Sequence, residues 1–290
     1  MAAEQSNQRK LQPLSREAQT DLKDAVTLLE TDTLALRMSE MVGDPVERLI
    51  EQLPESWHQR VGELTQSALT QCLRGALKTM NTQEQGPPSK RLHKVMTAVS
   101  GGLGGLGGLA TVAVELPVST GLIFRSIADI ARSHGEDMSS LESQLACLEV
   151  FALGGPSPSD DGANSAYLAT RIALAQALRE LSQAVAQKGV VQLGAPAVTR
   201  LIALIAERFS VQVIEKVSAQ LIPALGAIAG ATINTIFIDH FQRMAEGHFT
   251  LRRLEREYGR DAVRAHYQRV FSALPKPSQR RLASPRDDQS

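Results

Sequence analysis

Aromatic residues are scarce in this sequence. Phe, Trp and Tyr together make up 4% of the 290 residues, and the hydrophobic share of 43% consists mostly of Ala, Leu, Val and Ile. This mixture favours helices over sheets. The chain also lacks any sustained alternation of apolar and polar residues, and it has no hairpin turn of the Asn-Gly type. The sequence therefore predicts an all-α protein.

The chain has no excess charge of either sign and only two cysteines. Lys plus Arg and Asp plus Glu number 31 each, so no overall field attracts nucleic acid, and we expect no nucleic-acid partner. Cys72 and Cys147 show no CxxC or CxH spacing, which indicates reduced core residues of a cytosolic protein. The first residues form no apolar h-region, so we expect no secretory signal.

Motifs of the common enzyme classes are missing. The sequence contains no G-x-S-x-G, no H-E-x-x-H and no paired-cysteine zinc spacing. Gly102, Gly104 and Gly107 match G-x-G-x-x-G formally. However, Pro117 falls where a phosphate-binding helix should still be running, and no Lys-Ser or Lys-Thr follows to make a P-loop. We therefore expect no nucleotide and no cofactor.

Two charge-free stretches and one linker organise the chain. Residues 95–114 and 217–238 are 20 and 22 residues long, enough to span about 30 Å of hydrocarbon, but Gly, Ser, Thr, Gln, Asn and Pro dilute their apolar residues. The segment GGPSPSDDGANS is typical of a linker. The predicted organisation is a tail at 1–14, a helical half at 15–153, the linker at 154–165, a second helical half of the same domain at 166–272, and a basic tail at 273–290.

Two segments show clear helical periodicity. After Pro54, apolar residues recur every three or four positions as far as Ala76. The same spacing returns after Tyr167 and stops near Gly189. We predict a core-facing helix in each segment.

Six glycines stand within residues 101–108. A glycine inside a helix costs roughly 0.8–1 kcal/mol relative to alanine, so a helix here needs a close contact in return. Both charge-free stretches contain small-xxx-small spacings that leave a smooth groove. We therefore predict a helical bundle in which these two glycine-bearing apolar segments pack together at the centre. The glycines assigned to this contact are Gly101, Gly104, Gly105, Gly108, Gly226 and Gly230.

Three stretches resemble the EcsC protein family. They are GGLGGLGGLATVAVELPVSTGLIFRSIADIARSHG, the segment LIPALGAIAGATINTIFI, and the Arg-rich FTLRRLEREYG, and the similarity spans about residues 55–260. One departure is His134, where an aromatic residue is expected. The resemblance implies a bacterial protein linked to an ABC transporter. It carries over no catalytic residues, because the family has no established molecular activity.

Basic residues flank both charge-free stretches, as they do on the cytoplasmic side of a bilayer. We therefore expect a non-enzymatic accessory protein that is cytoplasmic and peripheral at the inner membrane. Its expected partners are anionic lipid and a membrane protein or transporter. The residues assigned to lipid binding are Lys90, Arg91, Lys94, Arg252, Arg253, Arg256 and Arg260.

Two alternatives stay open. The first is a soluble helical scaffold, in which the apolar segments are simply core. The second is a metal-assisted hydrolase or peptidase, which requires two acidic–histidine clusters, distant in sequence, to meet in space. We assign no metal site. The weak candidates for metal ligands are Glu136, His134, Asp239, His240 and His248.

Overall fold

The computed structural model describes residues 13–31, 33–42, 48, 50–51, 53–79, 108–155, 165–189, 191–220 and 226–275. Within these ranges it contains nine α-helices, one short 3-10 helix and no strand, which confirms the all-α prediction. The α-helices are α1 (Arg16–Thr31), α2 (Leu34–Val42), α3 (Glu55–Thr79), α4 (Gly108–Ser133), α5 (Leu141–Glu149), α6 (Ala166–Lys188), α7 (Pro196–Gln220), α8 (Gly226–Tyr258) and α9 (Arg260–Ala273). The 3-10 helix, Val150–Ala152, follows α5 directly.

The two helices with the clearest periodicity form where the sequence predicts them. On α3, the periodic apolar residues predicted to face the core include four that are buried, Val61, Ala68, Cys72 and Ala76. The α6 helix begins after Ser165, whose Oγ accepts a hydrogen bond from the Leu168 N–H at 3.0 Å. It ends at Gly189, whose N–H donates to the carbonyl oxygen of Val185 at 2.8 Å. Local sequence signals therefore determine both helices.

Helix α8 is at the centre of the bundle. It is 33 residues long and contacts α1, α2, α4, α7 and α9. Its Phe237 and Phe241 meet Phe151 and Phe209, with ring centroids 4.8–6.2 Å apart. Four of the seven phenylalanines in the chain thus form one cluster. Because an aromatic ring buries a large surface, these few rings fill the middle of the core.

Helices α4 and α8 run parallel in a constant register. The Gln242 amide donates to Ser126 Oγ at 2.7 Å, and just beyond the end of α4 His134 Nε2 lies 3.2 Å from Thr250 Oγ1 of α8. The residue numbers differ by 116 in both pairs. A constant difference is what two parallel helices show, because their residue numbers rise in the same direction. The first residues of α4 and α8 differ by 118, so both helices begin at the same end of the bundle. We call this the glycine end.

The predicted glycine contact lies mostly outside the described residues. Three of its six glycines fall outside those residues, namely Gly101, Gly104 and Gly105. The other three belong to α4 or α8, but the packing around them is not described; they are Gly108, Gly226 and Gly230. Helices α4 and α8 do contact each other, whereas the contact between the glycines stays a prediction.

A close helix contact occurs instead at Gly247 of α8. A Cβ atom there would lie 2.7 Å from Leu29 Cγ and 3.2 Å from the carbonyl oxygen of Ala25, both on α1. The first distance is shorter than real Cβ contacts and the second is tight, so a side chain here would force Leu29 and α1 away from α8. Glycine at this position therefore lets α1 lie directly on the central helix.

Pro117 lies inside α4 and does not end it. The use of Pro117 as evidence against a helix after the glycines is wrong, since α4 continues for 16 more residues to Ser133. A proline removes one backbone hydrogen bond. In the same turn, the hydroxyl groups of Ser119 and Thr120 donate to the carbonyl oxygen of Leu116 at 3.2 and 2.6 Å.

Helices from both predicted halves share one core. Helix α8 of the second half contacts α1, α2 and α4 of the first. The division into domains stays a prediction, because residues 156–164 of the linker and most of both tails lie outside the described residues. Every helix in the described ranges is too short or too polar to cross a bilayer.

Candidate functional site

The turn after α4 is tied to the Arg-rich part of α8 through Glu136. Its buried carboxylate accepts hydrogen bonds from Arg252 Nε at 2.8 Å and from Ser143 Oγ at 2.6 Å. Arg256 donates to the same carboxylate, and its Nη2 also donates to the carbonyl oxygen of His134 at 2.6 Å. We call Glu136, Ser143, Arg252 and Arg256 the Glu136 cluster.

The cluster holds its carboxylate in the ionised form. Burial acts to raise the pKa of Glu136, but hydrogen bonds from Arg252 and Ser143, with the charges of Arg252 and Arg256, outweigh it. The pKa falls from 4.5 to about 2. Because every group in the cluster is engaged within the protein, its role is to fix the turn on α8.

Three of the four α8 and α9 arginines predicted to bind lipid have carboxylate partners. Arg252 and Arg256 belong to the Glu136 cluster, and Arg253 Nη2 lies 2.6 Å from Asp21 Oδ2 on α1. Arg260 is exposed and has no carboxylate partner among the described residues. Lipid binding stays a prediction for all of them and for three residues outside the described ranges, which are Lys90, Arg91 and Lys94.

The hydrolase alternative needs its two clusters to meet, and His134 does approach α8. Its Nε2 lies 3.4 Å from Glu246 Oε2. Asp239 instead lies 2.5 Å from Arg37 on α2. In the part of the chain that the structure describes, no three His, Cys, Asp or Glu side chains are arranged to hold a metal ion.

The other two histidine candidates are buried in the core on α8. Burial lowers the pKa of His240 to about 3, helped by the charges of Arg37 and Arg243. Burial likewise holds the pKa of His248 well below its usual value. Both rings are therefore neutral at physiological pH, and His248 Nδ1 lies 3.1 Å from the hydroxyl group of Tyr167.

A cavity of about 620 Å³ lies between α5, α6, α8 and α9. Arg171 spans part of it, donating two hydrogen bonds to the Glu255 carboxylate at 2.6 and 3.0 Å. The guanidinium carbon of Arg171 lies 5.6 Å from the ring centre of Tyr167. Glu149 and Arg252 also line the cavity, which therefore borders the Glu136 cluster. Its volume is in the range of small-molecule sites.

Near the glycine end, α4 exposes apolar side chains. Val114 is 74% exposed and Val118, one turn further on, is 38% exposed. Arg125 is exposed two turns beyond Val118 on the same side of the helix. Among the described residues, the other exposed large hydrophobic side chains are Leu36 and Ile172. Two of four such residues are thus adjacent at the glycine end, and we call them the valine pair.

A model of the EcsC protein family matches residues 22–254, most of the chain. The chain belongs to the EcsC protein family. Searches of curated proteins and of solved structures gave no match. In this EcsC-family chain the matched region extends from α1 into α8, so it begins earlier than the similarity predicted from about residue 55. Glu136 and Arg252 lie within it, whereas α9 lies beyond it.

Sequence reasoning did not single out the cavity of this EcsC-family protein. Glu149 is the one charge in the apolar run LACLEVFAL, and Arg171 is the one charge in YLATRIALA. A charged residue in a core-facing run is rarely buried without a partner. These two lone charges are therefore the sequence signal that marks the site.

Proposed function

We propose that this EcsC-family protein is a non-enzymatic accessory protein that docks on the cytoplasmic surface of the inner membrane, beside an ABC transporter. The docking is supported by the valine pair, which is exposed at the glycine end. The two charge-free stretches, 95–114 and 217–238, include the first residues of α4 and α8, which begin at that same end. The transporter as partner comes from the family resemblance.

The expected binding is weak and depends on anionic lipid. Burial of an exposed valine contributes about 1 kcal/mol, so the valine pair alone holds the protein loosely. Each basic residue near an anionic surface adds about 1 kcal/mol. Arg125 is exposed two turns beyond Val118 on the same side of α4, and the lipid binding expected of Lys90, Arg91 and Lys94 from the sequence would add to this attraction. Binding should therefore be reversible and should weaken in salt.

We assign the arginines near the end of α8 to ion pairs within the protein and not to the lipid. Arg252 is 26 residues from the first residue of α8, which is about 39 Å of helix. That length is several times the Debye length, about 8 Å at physiological ionic strength, so a charge there is screened from a membrane at the glycine end. Since Arg252 and Arg253 also have carboxylate partners, the glycine end alone is the proposed docking surface.

Replacing the valine pair, Val114→Asp with Val118→Asp, should abolish vesicle binding. The change removes apolar surface and adds two negative charges, so the partition coefficient should fall at least about a hundredfold. Purified protein is sedimented with phosphatidylcholine vesicles that contain or lack phosphatidylglycerol, and the bound fraction is measured. The unaltered protein should bind only the anionic vesicles.

Leu36→Asp is the matched control, because Leu36 is 48% exposed on α2 and lies outside the valine pair. This variant should bind as the unaltered protein does. Equal losses in both variants would contradict docking through α4. Failure of the unaltered protein to bind any vesicle would favour the soluble scaffold instead.

A further inference from the structure

Glu149 is a buried carboxyl group that makes no hydrogen bond to any described residue. It is 8% exposed, ends α5 and lines the cavity. The cations that act on it most, Arg171 and Arg252, already bind other carboxylates, those of Glu255 and Glu136. Its carboxyl oxygens are not among the fully buried unpaired atoms, so they are accessible from the cavity. A molecule bound in the cavity can therefore form a hydrogen bond with this carboxyl group.

One wall of the cavity is apolar and elongated. On α6 it is formed by Leu168, Ile172, Ala175 and Leu178. These residues share one side of the helix over ten positions, which is about 15 Å. Ile172 is 62% exposed there. The length and the apolar character of this strip suit a single hydrocarbon chain.

Three arginines that line the cavity form no ion pair with a described carboxylate, so the free charge there is mainly positive. Arg179, Arg260 and Arg264 are exposed, and no described carboxylate pairs with them. Burial raises the pKa of Glu149, which shifts that group toward its neutral form. The opening of the cavity therefore favours an anionic group.

We propose that this cavity binds a single-chain anionic amphiphile. Its hydrocarbon chain lies along the apolar strip of α6, its anionic head lies at Arg260 and Arg264, and a polar group beside the head bonds to Glu149. The site is independent of membrane docking, because its part of α8 lies at the opposite end from the glycine end.

Dodecyl phosphate, kept below its micellar concentration, tests this site by titration calorimetry without vesicles. The unaltered protein should bind it at least about tenfold more tightly than it binds dodecyltrimethylammonium or inorganic phosphate. The variant Arg260→Gln with Arg264→Gln should lose at least about tenfold in affinity. Ala175→Phe, which fills the apolar strip, should weaken the binding as well.

Arg269→Gln is the matched control, because Arg269 is exposed on α9 and does not line the cavity. It should bind dodecyl phosphate as the unaltered protein does. Tighter or equal binding of dodecyltrimethylammonium would overturn the anionic assignment. Equal binding of inorganic phosphate would assign the arginines to a soluble anion and overturn the amphiphile. Intact dodecyl phosphate binding by the Val114→Asp, Val118→Asp variant would separate this site from membrane docking.

Discussion

Replacing Glu136 by glutamine should lower the free energy of unfolding by about 3 kcal/mol, because it removes the buried carboxylate partner of Arg252 and leaves that guanidinium only the exposed Glu142. The side chain of Arg252 is 13% exposed and that of Glu136 is 3% exposed. The loss is measured by urea unfolding, as a lower midpoint with an unchanged m-value. Glu63→Gln on α3 is the matched control, since Glu63 pairs with Arg60 at the surface. It should cost less than about 0.5 kcal/mol.

The pH dependence of the free energy of unfolding is a second test of the stabilisation by Glu136. The pKa of Glu136 is about 2 in the folded protein and near 4.5 in the unfolded chain, so its stabilisation is complete above pH 4.5 and is lost as the pH falls toward 2. The unaltered protein should lose stability over this window more steeply than Glu136→Gln. Parallel curves, or equal costs for Glu136→Gln and Glu63→Gln, would show that the Glu136 cluster does not hold the turn.

Alanine at Gly154 should cost about 2–4 kcal/mol, through two effects that a control can separate. Gly154 has a φ of +72°, and a Cβ atom there would lie 2.5 Å from His240 Cε1 and 2.7 Å from Met244 Sδ. The left-handed backbone costs about 1 kcal/mol for alanine, and forcing the two side chains aside costs about 1–3 kcal/mol. Urea unfolding measures the total.

Gly189→Ala isolates the backbone effect. Gly189 has nearly the same φ, +70°, but a Cβ atom there would have no neighbour within 4 Å. This variant should lose only about 1 kcal/mol. If Gly154→Ala cost no more than Gly189→Ala, the packing of residue 154 against the central helix would be wrong.

Local signals predict single helices well in this chain. The apolar stripe of α3 and the capped limits of α6 depend on neighbours a few residues apart. Pro117 shows where such signals fail. Proline weakens a helix locally, but α4 gains enough from packing on α3 and α8 to continue through it.

Long-range pairing could not be predicted from the same signals. Glu136 meets Arg252 across 116 residues, and Arg171 meets Glu255 across 84. Periodicity shows which face of a helix is buried, but it does not identify the helix that covers it. The cavity beside Glu149 depends on four helices, so its existence follows only from their assembly.

A fluorophore on α4 tests most directly whether the glycine end contacts the membrane. An environment-sensitive dye is attached at Val118→Cys or at Ser133→Cys, about 22 Å further along the same helix. The natural cysteines, Cys72 and Cys147, are buried, and burial raises the pKa of both thiols to about 12, so they should not react. Anionic vesicles should shift the emission to shorter wavelength at position 118 and leave position 133 unchanged. No shift at position 118, or equal shifts at both positions, would contradict docking through the glycine end.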